Sequence, residues 1–317
     1  MPTLRAAVVQ AAPVPFDLDR SLAKALEYID AAASQGAELI VFPEAFLSGY
    51  PKLLDFGALV GRRTPEGRVM FRRYYESAID VPGPVTAALG AACRERGVHL
   101  VIGVIERDGG TLYCTALFFS GDGALLGKHR KVMPTAMERL IWGFGDGSTL
   151  GVFDTAIGRI GAAICWENYM PLLRMNLYSK GVQLYCAPTV DDRETWASSM
   201  RHIAFEGRCF VFSAVQFLRR ADYPADIAQL LPAAAEDPII HGGSVIVNPQ
   251  GQILAGPNRE GECVLTAEID LNEIVEGKYD LDVAGHYARP DIFRLEVNER
   301  AARAVVPAVV DDWPPVA

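Results

Sequence analysis

Three short stretches of this chain place a reactive side chain just beyond an apolar run, and together they hold the parts of a nucleophilic hydrolysis. In Ile40-Val41-Phe42-Pro43-Glu44 a carboxylate ends the run. In Leu125-Leu126-Gly127-Lys128-His129-Arg130-Lys131 basic residues follow what reads as the end of a strand. In Ile160-Gly161-Ala162-Ala163-Ile164-Cys165-Trp166-Glu167 a cysteine ends a strand and an aromatic follows it. A thiol attacks as its thiolate, which needs a nearby base or cation to form and persist. Singly, each stretch has an ordinary structural reading: Glu44 as a solvated cap, the basic run as an exposed face, Cys165 as a packed thiol. Ligands of open α/β sheets gather beyond strand ends, so a fold that brings the three together would make them a site.

The elements that must position them follow from periodicity. A first strand spans Arg5 to Gln10, and a helix runs from about Asp19 to Gln35, with Leu22, Leu26 and Ile29 at helical spacing and Gly36 as its stop. Residues 38–43 form a nearly continuous apolar run, which suits a central strand covered on both faces. The unit recurs: a helix ending at Gly97 precedes Val98 to Val104, and one ending at Gly181 precedes Val182 to Pro188. Gly121-Asp122-Gly123 and Pro249-Gln250-Gly251-Gln252 are hairpin signals, so the sheet is expected to be mixed. Residues 1–280 read as one domain with helices outside β-sheet. Residues 281–317, broken by Arg289-Pro290-Asp291, Val305-Val306-Pro307 and Trp313-Pro314-Pro315, read as an extended tail packed on the domain or on a neighbouring subunit.

Composition narrows the chemistry. Of 317 residues, half are apolar and 22% charged, enough for a sizeable core; the formal charge of −9 repels nucleic acid and anionic membranes and favours a small neutral substrate. Cysteines at 93, 114, 165, 186, 209 and 263 form no CxxC pair, and no secretory leader or sequon accompanies them, which points to a reduced, cytoplasmic protein. No apolar run approaches the roughly 18 residues of a membrane span. The sequence also lacks HExxH, GxSxG, P-loop and GxGxxG patterns, so a hydrolase without metal or cofactor is expected.

The three stretches, with His129-Arg130-Lys131-Val132-Met133-Pro134-Thr135 and Ala163-Ile164-Cys165-Trp166-Glu167-Asn168, resemble the catalytic motifs of the nitrilase superfamily of carbon-nitrogen hydrolases. The resemblance extends over nearly the whole chain. Glu138-Arg139-Leu140-Ile141-Trp142-Gly143-Phe144-Gly145 and Gly285-His286-Tyr287-Ala288-Arg289-Pro290-Asp291 are similar to the true nitrilase branch. It implies a four-layer α-β-β-α sandwich. It implies Glu44 as general base, Lys131 as the cation that stabilises the tetrahedral intermediate, Cys165 as nucleophile, and Glu138 as a second glutamate supporting Lys131 and substrate. It further implies nitrile hydrolysis through a thioimidate and a thioester, with some amide by-product, and self-association into dimers or spiral homo-oligomers. Amidase, carbamoylase and cyanide-degrading activities use the same cysteine and are the alternatives. Trp166 and Tyr50 are expected to line the substrate pocket, whose nearby aromatics suggest an apolar wall, while His129, Glu167 and Asn168 are expected to be structural.

Overall fold

The computed structural model describes residues 3–303 and residue 305. In chain order, the strands of its two large sheets are β1 (Thr3–Gln10), β2 (Leu39–Val41), β3 (His99–Asp108), β4 (Thr111–Phe119), β5 (Leu125–Arg130), β6 (Val152–Thr155), β7 (Gly158–Ala162), β8 (Leu184–Cys186), β9 (Phe210–Ser213), β10 (Val245–Val247), β11 (Ile253–Ala255) and β12 (Cys263–Asp270). The main helices are α1 (Leu18–Ser34), α2 (Pro65–Glu76), α3 (Pro84–Arg96), α4 (Pro171–Ser179), α5 (Glu194–Gly207) and α6 (Asn272–Asp280). One sheet has the order β12-β1-β2-β3-β4-β5 and the other β11-β10-β9-β8-β7-β6. Both are mixed: β1, β2 and β3 are parallel, as are β7, β8 and β9, and the outer strands run antiparallel.

Strand alternation builds the layers. Leu39 and Val41, Leu184 and Cys186, and Phe210 and Phe212 share one buried cluster, so these alternate positions meet between the sheets. Ile40 and Phe42 instead pack with Ile29 of α1 and Leu89 of α3. Tyr185, Val211 and Val245 pack with Leu177 of α4 and Met200 of α5. The expected four-layer α-β-β-α sandwich is the result.

The glycine stops fall where the sequence put them. Gly97 takes φ 66 after α3 and returns its N–H to Cys93 O, a conformation that costs glycine nothing. Gly36 and Gly181 likewise follow α1 and α4. One boundary differs. Lys128-His129-Arg130 belongs to strand β5 instead of following it, because Glu106, 1% exposed on β3, binds Lys128 Nζ and receives 2.9 and 2.6 Å hydrogen bonds from Arg130 Nε and a terminal guanidinium nitrogen. Only Lys131 lies beyond the strand end. Residues 281–303 contain neither helix nor strand, and Ala302 N–H donates to Asp146 Oδ2 at 2.6 Å. Val306-Pro307 and Trp313-Pro314-Pro315 lie outside the described residues.

Gly103 on β3 is where the sandwich presses closest on the Glu44 segment. A Cβ there would stand 2.3 Å from Pro43 O, 2.6 Å from Ala45 N and 2.7 Å from Glu44 Cα. Those are backbone atoms that cannot swing aside. Gly103→Ala is therefore expected to cost about 1–3 kcal/mol, the usual range for overpacking a full core, read as a lower urea midpoint at unchanged slope. An unchanged midpoint would mean the Pro43–Ala45 segment yields freely.

Candidate active site

Each functional side chain sits just past a strand end, and the two sheets contribute from opposite sides. Glu44 follows β2, Lys131 follows β5, and Cys165 follows β7. The Lys131 ammonium donates to Glu44 Oε1 at 2.6 Å and to Glu138 Oε2 at 2.8 Å, with the lysine and Glu44 fully enclosed and Glu138 only 7% exposed. Glu138 is aimed by two further donors, Tyr50 Oη at 2.7 Å and Thr135 N–H at 2.6 Å. Trp142 covers the ammonium at 5.6 Å and meets Tyr50 edge-on at 5.5 Å.

Cys165 is 4% exposed and adopts φ 52, a left-handed conformation that costs a side chain with a Cβ of order 1–3 kcal/mol. Its neighbours hold it there. Its N–H donates to Pro188 O at 2.8 Å, and Asn168 Nδ2 donates to both Ala163 O and Cys165 O at 2.8 Å. Tyr185 Oη in turn donates to Asn168 Oδ1 at 2.9 Å. The Glu167 carboxylate accepts from Ile164 N–H at 2.7 Å and from Val132 N–H, and meets His129 Nε2 at 2.9 Å. One buried carboxylate thus ties the backbone beside Lys131 to the backbone beside Cys165. His129, Glu167 and Asn168 keep the structural roles expected of them.

The electrostatics follow from burial. Desolvation drives the Glu44 carboxyl above its ordinary range, with Glu138 adding to the shift and Lys131 opposing it. Burial also pushes the Cys165 thiol up, reinforced by Glu44 and Glu138 and opposed by Lys131 and by a hydrogen bond from Thr189. For Lys131 burial works against the charged form, yet the surrounding Glu44, Cys165 and Glu138 outweigh it and hold the ammonium well above its usual value. Glu44 Oε2 is buried and takes no N–H or O–H donor. It keeps a lone pair available for a proton.

A cavity of about 200 Å³ opens over Cys165, lined among others by Tyr50, Lys52, Glu138, Trp166, Asp191 and Arg193. Tyr50 and Trp166 both line it, and the wall is more polar than the sequence suggested. The reason is that each aromatic arrives with a polar partner: Trp166 Nε1 donates to Asp191 Oδ2 at 2.9 Å, and Tyr50 is bound to Glu138. Apolar lining is concentrated in an adjoining cavity of about 320 Å³, formed with Leu54, Phe56, Leu140 and Trp142. Sequence reasoning missed Thr189, Asp191 and Gln216, whose Nε2 donates to Glu44 O at 2.7 Å. Pro188-Thr189 at the end of a buried run repeats the Pro43-Glu44 pattern and was the available signal.

Comparison with known proteins gives the family and the fold. The family model described as carbon-nitrogen hydrolase matches residues 5–279. Nitrilase blr3397 of Bradyrhizobium diazoefficiens is 58% identical over 96% of this chain and 94% of its own. The aliphatic nitrilase of Sinorhizobium fredii is 55% identical over 96% and 99%. The bifunctional nitrilase/nitrile hydratase NIT4A of Nicotiana tabacum is 55% identical over 96% and 88%. Among solved structures, Saccharomyces cerevisiae Nit3, a member of branch 10 of the nitrilase superfamily, shares the fold with a TM-score of 0.71 at 24% identity, covering 90% of this chain and 96% of its own. The chain belongs to the carbon-nitrogen hydrolase family, within the nitrilase superfamily, and is a hydrolytic enzyme.

Proposed function

We propose that this enzyme is a nitrilase that converts a nitrile and two waters to a carboxylic acid and ammonia, with Cys165 as nucleophile. The observation that carries the reading is the enclosed Glu44–Lys131–Glu138 cluster beside Cys165, with Glu138 and Cys165 lining one cavity and the charges of all three acting on the sulfur. Support comes also from the names of its relatives, nitrilase and aliphatic nitrilase, at 58% and 55% identity.

A nitrile carbon is a weak electrophile, so the attack needs a thiolate and the nitrogen needs a proton as charge develops on it. Glu44 takes the Cys165 proton and passes it to nitrogen while the S–C bond forms, giving a thioimidate. A carboxyl raised by burial is the stronger base for this task. Water, deprotonated by Glu44, then adds to the thioimidate carbon. Lys131 faces the charged tetrahedral species, a preorganised contact whose loss commonly costs about 3 kcal/mol of barrier. Ammonia leaves, and a second water cleaves the thioester to the acid.

The tetrahedral species has a second exit, expelling the thiolate and releasing an amide. Glu138 and Trp166, both at the cavity wall, set how the nitrogen is held and hence the partition. The tobacco relative's name, nitrilase/nitrile hydratase, supports this branch. Self-association is part of the same reading, supported by Leu172, Phe205, Val275 and Tyr279, exposed on the outer helices. Six unpaired cysteines suit a reducing, cytoplasmic setting.

Ammonia release from one panel of nitriles, amides and cyanide separates the alternatives: turnover of nitriles is expected, and hydrolysis of amides alone would make this an amidase. Chromatography of the products is expected to show a minor amide beside the acid, and acid alone at every time point would remove the branch. Cys165→Ala should abolish turnover while circular dichroism and oligomer size stay unchanged. The pH profile has a definite sign. Protonation removes the base, so kcat/KM falls as pH drops through the Glu44 value. Its acid limb should therefore stand above the ordinary glutamate value of about 4.3, and a limb at or below that value contradicts Glu44 as base.

A further inference from the structure

We propose that Thr189 is a catalytic residue, its hydroxyl donating a hydrogen bond to the Cys165 sulfur that holds the thiolate for attack and receives it again when it leaves. The inference rests on the reading of Cys165 as nucleophile. Thr189 Oγ1 stands 3.2 Å from Cys165 Sγ, and both groups are buried. Asp191 N–H donates to Thr189 Oγ1 at 2.9 Å, filling one of the hydroxyl's two acceptor positions and leaving its proton for the sulfur. Once the sulfur is a thiolate it can only accept, so the hydroxyl is the donor.

The sheet sets this distance. Strands β7 and β8 are parallel with Ala162 opposite Cys186, and the register continues past both ends through Ala163 N–H to Cys186 O and Cys165 N–H to Pro188 O. On its other side Thr189 N–H donates to Ala214 O at 2.9 Å. The segment is therefore pinned from both neighbours. Its position also has a counterpart: Thr189 follows the first residue of β8, Leu184, at the same interval as Glu44 follows the first residue of β2, Leu39, and each comes directly after a proline. The two central strands each deliver one polar side chain to the site.

Other groups around the sulfur leave this donor a distinct task. Glu44 and Glu138 oppose a negative sulfur, and Arg193 lies at the cavity rim bound to Asp191. The Lys131 ammonium favours the thiolate but is already bound to both carboxylates. In the first step the thiol proton passes to Glu44 and the S–C bond forms, while Thr189 keeps its own proton. When the tetrahedral intermediate from the thioester collapses, the C–S bond breaks, and the electron pair returns to a sulfur that already faces a donor. The thiolate then recovers its proton from Glu44.

A hydrogen bond to a charged acceptor shifts such an equilibrium by about one to two pH units. Part of the gain is offset, because a more basic thiolate is also a better nucleophile. The net loss on removing the donor is about three- to tenfold in attack rate at fixed pH. The test is the rate of iodoacetamide alkylation of Cys165 against pH, read by peptide mass spectrometry, in the wild-type enzyme and in Thr189→Val, Thr189→Ala and Thr189→Ser. Thr189→Val and Thr189→Ala are expected to displace the profile upward by about one to two units, and Thr189→Ser to restore it. An undisplaced profile in whichever of the Val and Ala variants keeps the wild-type circular dichroism overturns the role, since a merely structural threonine leaves the thiol's titration alone. Nitrile turnover that survives complete alkylation of Cys165 would instead overturn the nucleophile assignment, and this inference with it.

Discussion

A lysine ammonium enclosed between two glutamates is the constraint around which the sandwich is organised. Taking such a cation out of water costs several kcal/mol, which only close and well-directed partners offset. Lys131 meets that condition with contacts of 2.6 and 2.8 Å, and Trp142 shields it further. Removing the lysine would leave two buried carboxylates facing each other with no cation between them. The segments carrying Glu44, Lys131 and Glu138 must therefore be placed together by the fold. This explains why each is secured through its backbone: Phe42 N–H on Val101 O, Lys131 N–H on Cys114 O, and Thr135 N–H on Glu138 itself.

That placement comes from running one pattern twice. The chain goes strand, helix, strand, helix, strand and then hairpin strands through β1, α1, β2, α3, β3, β4 and β5. It repeats the order through β7, α4, β8, α5, β9, β10 and β11. The two copies stack with their apolar faces together, and β6 and β12 extend the first strand of each copy on the same side. Parallel central strands bring their carboxyl ends to one edge, where a site can draw on several of them. Glu44 comes from the first copy's central region, Lys131 from its last hairpin strand, and Cys165 from the second copy's first strand. No single supersecondary unit contains the site.

This division also decides what could be read from the sequence. Helix stops at Gly36, Gly97 and Gly181, the buried runs after them and both hairpins are local signals, and the structure follows them closely. The basic run at Lys128–Arg130 misled because its partner is Glu106, two strands away in the order of the sheet, so nothing nearby in sequence marks it as buried pairing. Glu44, Lys131 and Cys165 were legible as types at strand ends, and the roles proposed for them come from the family resemblance. Thr189 was not. Its place after Pro188 repeats the Pro43-Glu44 pattern, but the role proposed for it depends on a sheet register that sets it across from a cysteine.

The site also holds backbone strain that the sequence does not advertise. Cys165, Ala45 and Ala136 all take positive φ, and they lie at the proposed nucleophile, beside Glu44 and beside Thr135. Non-glycine residues stay in that region only where their surroundings over-determine them. Here the surroundings are polar and buried: Glu167 and Asn168 bond the backbone around Cys165, and Gln216 bonds the Glu44 carbonyl immediately before Ala45. Such a network rigidifies when its members are satisfied and is costly when they are not. The strained turns place the thiol at the cavity and the carboxylate on the buried ammonium, and the same hydrogen bonds that hold the turns tie the segments of the two sheets to each other. Stability and geometry at this site are consequently one property, because loosening any of these turns would free buried polar groups as well as misplace the reacting atoms.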